Sequence, residues 1–429
     1  MTYQHIFTSV ERRHDRPGWI KGSLVGGLLF AVGLPLVARM AYEPDILLWG
    51  SHQVTVTATA IAHLAGYYLY KRLERFPGVA ATGTILPTFA LTYGVVFLAI
   101  FFFRFDYSRF QAASSFLLSL AWYFIAHFRN QHWARYELAV VPGGKIDQLK
   151  SIRGVVWHML SDPATPPGRV QGVVADLRAD YPGSWERYIA DCVLAGKPVY
   201  HVKQLVESLT GRVAIEHLSE NTLGSLNPDQ TYIGIKHAID RVTALAALVL
   251  LTPLLIAVAI AIRLDSPGPV IFRQQRVGYR GEVFTIYKFR TMRIQREAPH
   301  ESQREQAMTR ADDQRVTRLG RYLRRSRIDE LPQLLNVLRG EMSWIGPRPE
   351  AVVLSRWYES KLPFYRYRHI VRPGITGWAQ VKQGHVAEVD DVNEKLYFDF
   401  YYIKNFSHWL DIVIIINTVK IMFTGFGSK

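Results

Sequence analysis

Cysteine is almost absent from this chain of 429 residues, in which Cys192 is the single example. One thiol provides neither a disulfide framework nor a cysteine-based metal site. The first apolar run also lacks a clear A-x-A cleavage site, so it is interpreted as a retained segment and not as a secretory leader. These absences argue against a disulfide-stabilised secreted protein and favour working parts that face a reducing cytosol.

Acidic residues are in the minority, with 36 Asp+Glu against 51 Lys+Arg and a formal net charge of +15. Hydrophobic residues make up 49% of the chain and aromatic residues 13%, which is too apolar for a disordered protein. A chain that is both basic and apolar fits a membrane surface or phosphate-bearing substrates better than a nucleic acid. We therefore expect a lipid bilayer and no nucleic acid among its partners.

Four apolar runs occupy the first third of the chain, at residues 19–40, 46–70, 80–103 and 110–128. Each is close to the roughly 20 residues that a helix needs to cross about 30 Å of hydrocarbon. Buried helices of a soluble core are the alternative, but four consecutive runs of this length favour the membrane. Residues 1–130 are predicted to form a four-helix transmembrane bundle.

Positive charges flank alternate ends of these runs. They are Arg12, Arg13, Arg16, Lys71, Arg72, Arg75, Arg129 and Arg135. The positive-inside rule then places the N-terminus and everything after residue 130 in the cytoplasm. The expected location is a membrane that the chain crosses several times, with everything after residue 130 on the cytoplasmic side.

Residues 131–232 have an alternating strand and helix pattern, with strands expected at 136-YELAVV-141, 170-VQGVVADL-177 and 198-PVYHV-202. This pattern predicts a small Rossmann-like α/β domain. The glycine turn 142-PGG-144 is not a G-x-G-x-x-G motif, so nucleotide binding is only weakly indicated. A role in packing or regulation is the favoured interpretation of this domain.

A further apolar run at residues 242–262 is long enough to span a bilayer, but Pro253 lies near its centre and both flanks are basic. A proline kinks a helix, and the preceding Thr252 hydroxyl can satisfy a freed carbonyl. We predict a re-entrant helix at about 236–263 that includes Lys236, Asp240 and Arg241, with an ordinary fifth span as the alternative.

The stretch 326-SRIDELPQ-333 holds two adjacent carboxylates, Asp329 and Glu330, directly after a run of arginines. Leucines then recur with helical spacing, and a proline at 332 is tolerated only near a helix start. A helix start beside several cations attracts phosphate. One carboxylate is therefore expected to attack phosphorus and the other to hold Mg²⁺.

Two simpler interpretations of this stretch stay open at the level of sequence. Ser326 and Asp329 fit a helix capping box, in which the aspartate is structural. The arginine run fits a solvated face or a contact with anionic lipid.

Several motifs resemble those of the bacterial sugar transferases, the monotopic phosphoglycosyl transferase superfamily. They follow in order over residues 236–424: 236-KHAIDR-241, 265-DSPGPVIFRQQRVG-278, 286-IYKFRTM-292, 328-IDELPQLLNVLRGEMSWIGPRP-349 and 371-VRPGITGWAQV-381. The resemblance implies that residues 233–429 are the catalytic domain. The chain as a whole resembles the large members of the family, a membrane protein of α plus α/β class.

This resemblance implies transfer of hexose 1-phosphate from a UDP-hexose to undecaprenyl phosphate, with release of UMP. That reaction is the first membrane step of exopolysaccharide, capsule or O-antigen synthesis. Asp329 would carry the covalent phosphosugar, and Glu330 would bind Mg²⁺. Phosphate-binding positions carried over from the family or its motifs are Lys288, Arg290, Arg324, Arg348, Pro349 and Arg372.

The resemblance leaves the sugar undetermined, with glucose or galactose expected, and makes a homodimer plausible. Where the family often has Lys-Arg, this chain has Lys236-His237, and His237 is expected to be an interfacial residue without chemistry. Aromatic and basic stretches at 357–369 and 406–423 suit amphipathic interfacial helices, although packed helices fit equally.

Two other functions compete with this one. A membrane-tethered protein could sense a nucleotide or bind a polyanion without catalysis, and would then produce no UMP. An inverting glycosyltransferase would release UDP in place of UMP.

Overall fold

Helices form at all four of the leading apolar runs in the computed structural model, which describes residues 24–45, 50–73, 81–131, 136–152, 154–164, 170–215, 230–293, 315–384 and 389–424. Helix α1 covers Leu24–Met40, α2 Gly50–Leu73, α3 Ala81–Phe102 and α4 Arg109–Gln131. Helix α1 widens to π-helical geometry over Leu29–Gly33, just before Pro35. The cations Arg12, Arg13, Arg16, Arg75 and Arg135, used to predict orientation, lie outside the described residues.

Helices α2, α3 and α4 pack around aromatic side chains. Phe89 of α3 and Tyr123 of α4 stack with ring centroids 4.9 Å apart. Gly66 of α2 permits this packing, because a Cβ atom at that position would lie 2.6 Å from the Phe89 ring. The small residue therefore allows two helices to approach closely.

The interior of this bundle also contains a hydrogen-bonded polar chain. His63 Nδ1 lies 2.8 Å from Ser119 Oγ, and the Tyr93 hydroxyl lies 2.9 Å from Ser119 Oγ and 2.8 Å from Ser115 Oγ. Among the described residues, two helical segments are long and apolar enough to cross a membrane, Thr84–Phe102 in α3 and Thr231–Asp265. Crossing by all four leading helices stays a prediction.

A four-stranded parallel sheet confirms the predicted α/β character of the following segment. Its strands are β1 (Tyr136–Val140), β2 (Val155–Met159), β3 (Gly172–Ala175) and β4 (Val199–His201), in the order β2-β1-β3-β4. Helices α5 (Gly183–Leu194) and α6 (Val202–Thr210) follow β3 and β4. Side chains that alternate along β1 enter different cores, since Leu138 packs with α6 residues and Ala139 with α5 residues, including Cys192.

The chain separates into two units, Met1–Gly211 and Arg212–Lys429. The predicted boundaries after residues 130 and 232 are not tested by this division and stay predictions. In the second unit, α7 (Gln230–Asp265) leads to an antiparallel hairpin of β5 (Ile271–Val277) and β6 (Val283–Phe289). Its remaining elements are α8 (Arg318–Arg325), α9 (Leu334–Arg339), β7 (Ser343–Ile345), α10 (Val352–Lys361), β8 (Gly374–Thr376), α11 (Trp378–Lys382), α12 (Val389–Lys404) and α13 (His408–Thr424).

Helix α7 is continuous through Pro253, and only 6% of its most apolar stretch is buried within the protein. The Thr252 hydroxyl donates to the Leu248 carbonyl at 2.7 Å, whereas proline at 253 frees the carbonyl of Val249. Thr252 therefore satisfies a neighbouring carbonyl and not the one that the proline leaves free.

Both halves of α7 pack on the same small domain. Ala244 belongs to a core with Phe284 of β6, and Ile262 belongs to a core with Phe289 of the same strand. The opposite face of the helix exposes large apolar side chains, which include Val242, Leu245, Val249, Leu250, Ile256 and Ile260. The helix thus lies along its domain and leaves one apolar side without a protein partner among the described residues.

The C-terminal helices are more deeply packed than an interfacial role requires. Leu410, Val413 and Ile414 of α13 are fully buried, as is Tyr365 in the segment after α10. Ile415 and Val419 remain exposed on one side of α13. This burial favours the packed-helix interpretation for most of the two stretches at 357–369 and 406–423.

Candidate active site

The two adjacent carboxylates lie on a short 3₁₀ helix, Ile328–Gln333, between α8 and α9. Its first turn follows Arg327, which adopts the left-handed conformation with φ of 59°. The Ser326 hydroxyl donates to the Tyr322 carbonyl of the preceding helix at 2.9 Å, and it does not cap the turn that carries Asp329. The capping-box interpretation is therefore wrong. The predicted α-helix begins at Leu334, after the pair and not at it.

Glu330 is the more heavily engaged of the two carboxylates. Its Oε1 atom accepts hydrogen bonds from Lys288 Nζ and Arg348 Nη2, both at 2.8 Å, and Arg327 Nη1 lies 3.7 Å from Oε2. Burial raises the pKa of Glu330, but Arg348, Lys288 and Arg327 outweigh burial and hold it well below its usual range. Glu330 is thus a permanent anion that holds two partly buried cations in place.

Asp329 differs from its neighbour because one of its oxygens is uncommitted. Its side chain is buried, and Oδ1 has no hydrogen-bond partner within the described chain. Burial and the adjacent charge of Glu330 raise the pKa of Asp329 to about 6, against the opposing effect of Lys288, Arg348 and Arg324. At neutral pH the carboxylate is therefore mainly ionised, and its Oδ1 atom makes no hydrogen bond within the described chain.

A second buried ionic network contacts the backbone carbonyls of Arg348 and Pro349. Its members were not among the predicted site residues. Arg368 donates to the Arg348 carbonyl at 3.0 Å and lies 2.8 Å from Asp399. Arg276 donates to the Pro349 carbonyl at 2.8 Å. The network also contains Glu350 and Lys395. Its partners come from distant parts of the chain, so spacing in the sequence gives no signal for them.

The other predicted phosphate-binding residues do not all converge on the carboxylate pair. Arg324 donates from Nε to Thr291 Oγ1 at 2.9 Å and contributes to the electrostatic field at Asp329. Arg290 is directed away, because its guanidinium donates to the Ser266 and Pro267 carbonyls at 2.6 and 2.9 Å. Arg372 lies beside Arg241 of α7, against Gly340.

The predicted residues of α7 form their own buried contacts. Lys236 Nζ donates to Asp411 Oδ2 at 2.7 Å, and Asp240 accepts from Ser343 Oγ at 2.6 Å. These bonds attach α7 to α13 and to β7. His237 lines a narrow cleft together with Arg372 and other residues of this unit.

Glycines hold β7 and β8 unusually close together where they carry the site. A Cβ atom on Gly346 would lie 2.2 Å from the Arg372 carbonyl oxygen, and one on Gly377 would lie 2.2 Å from the Gly346 carbonyl oxygen. A Cβ atom on Gly374 would lie 2.1 Å from the Gly346 nitrogen. We call these three residues the glycine seam, and it fixes the backbone between Arg348 and Arg372.

A metal held by protein groups alone does not fit the described residues, which contain no group of three or more His, Cys, Asp or Glu able to bind one. The pair Asp329 and Glu330 does fit Mg²⁺ if a substrate supplies the remaining oxygens, because Mg²⁺ commonly takes one or two carboxylates plus phosphates. Glu330 would be the ligand and Asp329 lies beside it.

Comparison with known proteins accounts for this arrangement. Residues 231–425 match the bacterial sugar transferase family. A protein of Aeromonas hydrophila, UDP-N-acetylgalactosamine-undecaprenyl-phosphate N-acetylgalactosaminephosphotransferase, is 42% identical over 98% of this chain and all of that protein. The chain belongs to the bacterial sugar transferase family.

Some relatives match a shorter part of this chain. A UDP-glucose:undecaprenyl-phosphate glucose-1-phosphate transferase of Xanthomonas campestris pv. campestris is 42% identical over 46% of this chain and 41% of that protein. An exopolysaccharide production protein of Rhizobium leguminosarum bv. phaseoli is 43% identical over 43% of this chain and 93% of that protein. Each of these two matches covers less than half of this chain.

Proposed function

We propose that this sugar transferase moves a hexose 1-phosphate from a UDP-hexose to undecaprenyl phosphate through an aspartyl-phosphosugar intermediate. In the first step, an Asp329 oxygen forms a bond to the β-phosphorus, the bond between that phosphorus and the bridging oxygen breaks, and UMP leaves. In the second step, an oxygen of the lipid phosphate attacks the same phosphorus. The Asp329 carboxylate is released, and the product is a lipid-linked diphosphate sugar.

The observation that carries this proposal is the unequal state of the two carboxylates. Glu330 accepts hydrogen bonds from Lys288 and Arg348, whereas Oδ1 of the buried Asp329 has no hydrogen-bond partner in the described chain. A nucleophile needs a free electron pair and an ionised state, and Asp329 combines both at neutral pH. Lys288, Arg348 and Arg324 supply positive charge where a diphosphate would lie.

Magnesium belongs to this proposal as a cofactor that arrives with the donor diphosphate. Glu330, with Asp329 beside it, would hold the ion. Bound there, Mg²⁺ would neutralise charge that develops on the departing phosphate. The donor diphosphate would pair with Lys288 and Arg348, which would leave Glu330 free to hold the ion without leaving the cations unpaired.

Packing of α7 supports a helix that enters one leaflet and returns. The segment from Ala244 to Ile262 is about 27 Å long, and residues near both ends contact β6 of one small domain. A helix that crossed the bilayer would carry one end away from that domain. We therefore propose an inner-membrane enzyme with a re-entrant α7, a leading multi-pass bundle and a catalytic unit on the cytoplasmic side.

The donor sugar is proposed only at the level of a UDP-hexose. The full-length relative is named for N-acetylgalactosamine, and several relatives that share the second unit are named for glucose. UDP-N-acetylgalactosamine therefore joins UDP-glucose and UDP-galactose at the head of a donor screen. The exopolysaccharide name of the Rhizobium relative supports a role at the start of surface polysaccharide synthesis.

The direct test uses purified full-length protein in nanodiscs and measures the nucleotide released from each UDP-sugar. Asp329→Asn is expected to reduce UMP release to background, because an amide oxygen is a poor nucleophile. Peptide mass analysis of the stalled wild-type reaction is expected to find phosphosugar on Asp329. Asp390→Asn changes an exposed residue of α12 and serves as the matched control.

Three results would contradict the proposal. Full activity of Asp329→Asn would remove the nucleophile, and UDP as the product would indicate an inverting glycosyltransferase. Salt-sensitive polyanion binding without UMP from any donor would favour the regulatory alternative.

A further inference from the structure

Two arginines of the second unit converge on one point, and the described residues place no acidic side chain at ion-pair distance from them. Arg241 is on α7 and Arg372 lies just before β8. A methyl group on Gly340 would lie 2.9 Å from Arg241 Nη2 and 3.6 Å from Arg372 Nη2. Within the described chain, neither guanidinium has a carboxylate at ion-pair distance, and Arg372 Nε is buried without a hydrogen-bond partner.

The nearby carboxylates already have other partners. Asp240 attracts Arg372 at longer range, but its Oδ2 atom accepts the Ser343 hydroxyl at 2.6 Å and its Oδ1 atom lies 4.0 Å from Lys236. Asp411 accepts from Lys236 at 2.7 Å. Two guanidiniums held together without a counter-ion repel each other, and a bound anion removes that repulsion. Their fork of donors suits a phosphate.

The position of the pair shows what kind of phosphate fits. Arg241 directly precedes the apolar part of α7, where Val242, Leu245 and Val249 are each more than half exposed. Cations at the end of an exposed apolar helix face match a ligand with a charged head and a hydrocarbon tail. A soluble phosphate would use the cations but not the helix.

The pair is also joined to the carboxylate site through the backbone. The Arg372 carbonyl abuts Gly346 across the glycine seam, and Arg348, two residues further on, holds Glu330. The backbone that follows β7 and leads to Arg348 therefore contacts the backbone of Arg372, which precedes β8.

We propose that Arg241 and Arg372 bind the phosphate of the acceptor lipid, whose chain lies along the exposed face of α7. This inference rests on the proposed function and divides the cations between the two substrates. Lys288 and Arg348 serve the donor at Asp329 and Glu330, and the pair Arg241 and Arg372 serves the acceptor.

The test separates the two half-reactions in full-length protein reconstituted in phosphatidylcholine nanodiscs. Exchange of labelled UMP into UDP-sugar without acceptor reports the first step alone. Product formation against undecaprenyl phosphate concentration reports the second step. Arg241→Gln and Arg372→Gln are each expected to raise the acceptor KM roughly tenfold, the loss typical of one charge-assisted contact, while UMP exchange stays within about twofold of wild type.

Arg263→Gln is the matched control, since it removes the same charge from the other end of α7, where Arg263 donates to the Gly268 carbonyl. It is expected to change neither half-reaction. Parallel loss of exchange and acceptor use in the α7 and β8 variants would overturn the inference, as would an unchanged acceptor KM. Absence of UMP exchange in the wild-type protein would instead overturn the proposed function.

A second arm separates the acceptor from bulk anionic lipid. The variants are compared in nanodiscs with and without phosphatidylglycerol. A defect that persists in pure phosphatidylcholine supports binding of the acceptor phosphate. A defect that occurs only with phosphatidylglycerol would show that the arginines contact the membrane surface, and the inference would be wrong.

Discussion

At the scale of single residues, two adjacent carboxylates have opposite properties because of what surrounds them. Glu330 is bonded to two buried cations, and its pKa lies well below the usual range. Asp329 is also buried, yet its pKa is raised to about 6 by desolvation and by the charge of Glu330. The surroundings therefore make Glu330 a permanent anion and make Asp329 the group that titrates near neutral pH.

The first step is expected to depend on pH through Asp329. The nucleophile must be ionised, so UMP release should increase as pH rises through about 6 and should be about tenfold slower at pH 5 than at pH 7. Glu330 titrates well below this range and should not contribute. Initial rates without lipid acceptor, from pH 5 to 8, provide the measurement, and a flat profile would contradict the assignment.

The family resemblance named Lys288, Arg290 and Arg348 as phosphate-binding positions, and the structure places Lys288 and Arg348, but not Arg290, beside the carboxylate pair. Lys288 and Arg290 are two residues apart, the spacing that puts side chains on one face of a strand. Strand β6 ends at Phe289, and Arg290 turns to the Ser266 and Pro267 carbonyls after the alternation stops. The end of a strand is set by tertiary contacts, which the spacing of residues does not contain.

At the scale of elements, α7 combines an apolar surface with two ends that pack on one domain. The proposed re-entrant path predicts that both ends are accessible from the same side of the membrane. Cysteines at Ile235 and Leu264, both exposed, should be labelled only from the cytoplasmic side by a reagent that does not cross the bilayer. The buried Cys192 is replaced by alanine to remove background labelling.

Labelling from opposite sides would show that α7 crosses the bilayer. A cysteine at Tyr42, an exposed residue after α1, provides the opposite-side control, since the positive-inside rule places that loop outside the cytoplasm.

Close packing of α2 against α3 gives a second prediction at this scale. Gly66→Ala should destabilise the protein by about 1–3 kcal/mol, the usual range for overpacking, because the new methyl group overlaps the Phe89 ring. Gly94→Ala on α3 is the matched control, since nothing lies within 4 Å of a Cβ atom there. Thermal unfolding in detergent compares the two variants, and equal melting temperatures would contradict the packing argument.

Element type was easier to predict from the sequence than element ends and partners. Short apolar runs predicted three strands of the parallel sheet, whereas β2 at Val155–Met159 was not predicted. The helix after Asp329 begins at Leu334, because the turn that contains Pro332 is tightened to 3₁₀ geometry. Periodicity specifies which face is apolar, but caps and turns decide where a helix starts.

At the scale of the whole molecule, every residue assigned to the reaction lies in the second unit, Arg212–Lys429. The Rhizobium relative matches over 93% of its own length and over only 43% of this chain. A protein that begins at Arg212 is therefore expected to retain measurable UMP release in nanodiscs. Asp329→Asn in the shortened protein is the control, and complete inactivity of a well-folded truncated protein would show that the first unit takes part in the chemistry.

The glycine seam limits how this enzyme can change its donor. Three positions leave no room for a single added carbon atom, so β7 and β8 have one permitted separation. An added methyl group at any of the three glycines is therefore expected to shift the backbone next to Arg348 and Arg372. Differences in donor preference are then expected to come from side chains around this backbone and not from a change in its spacing.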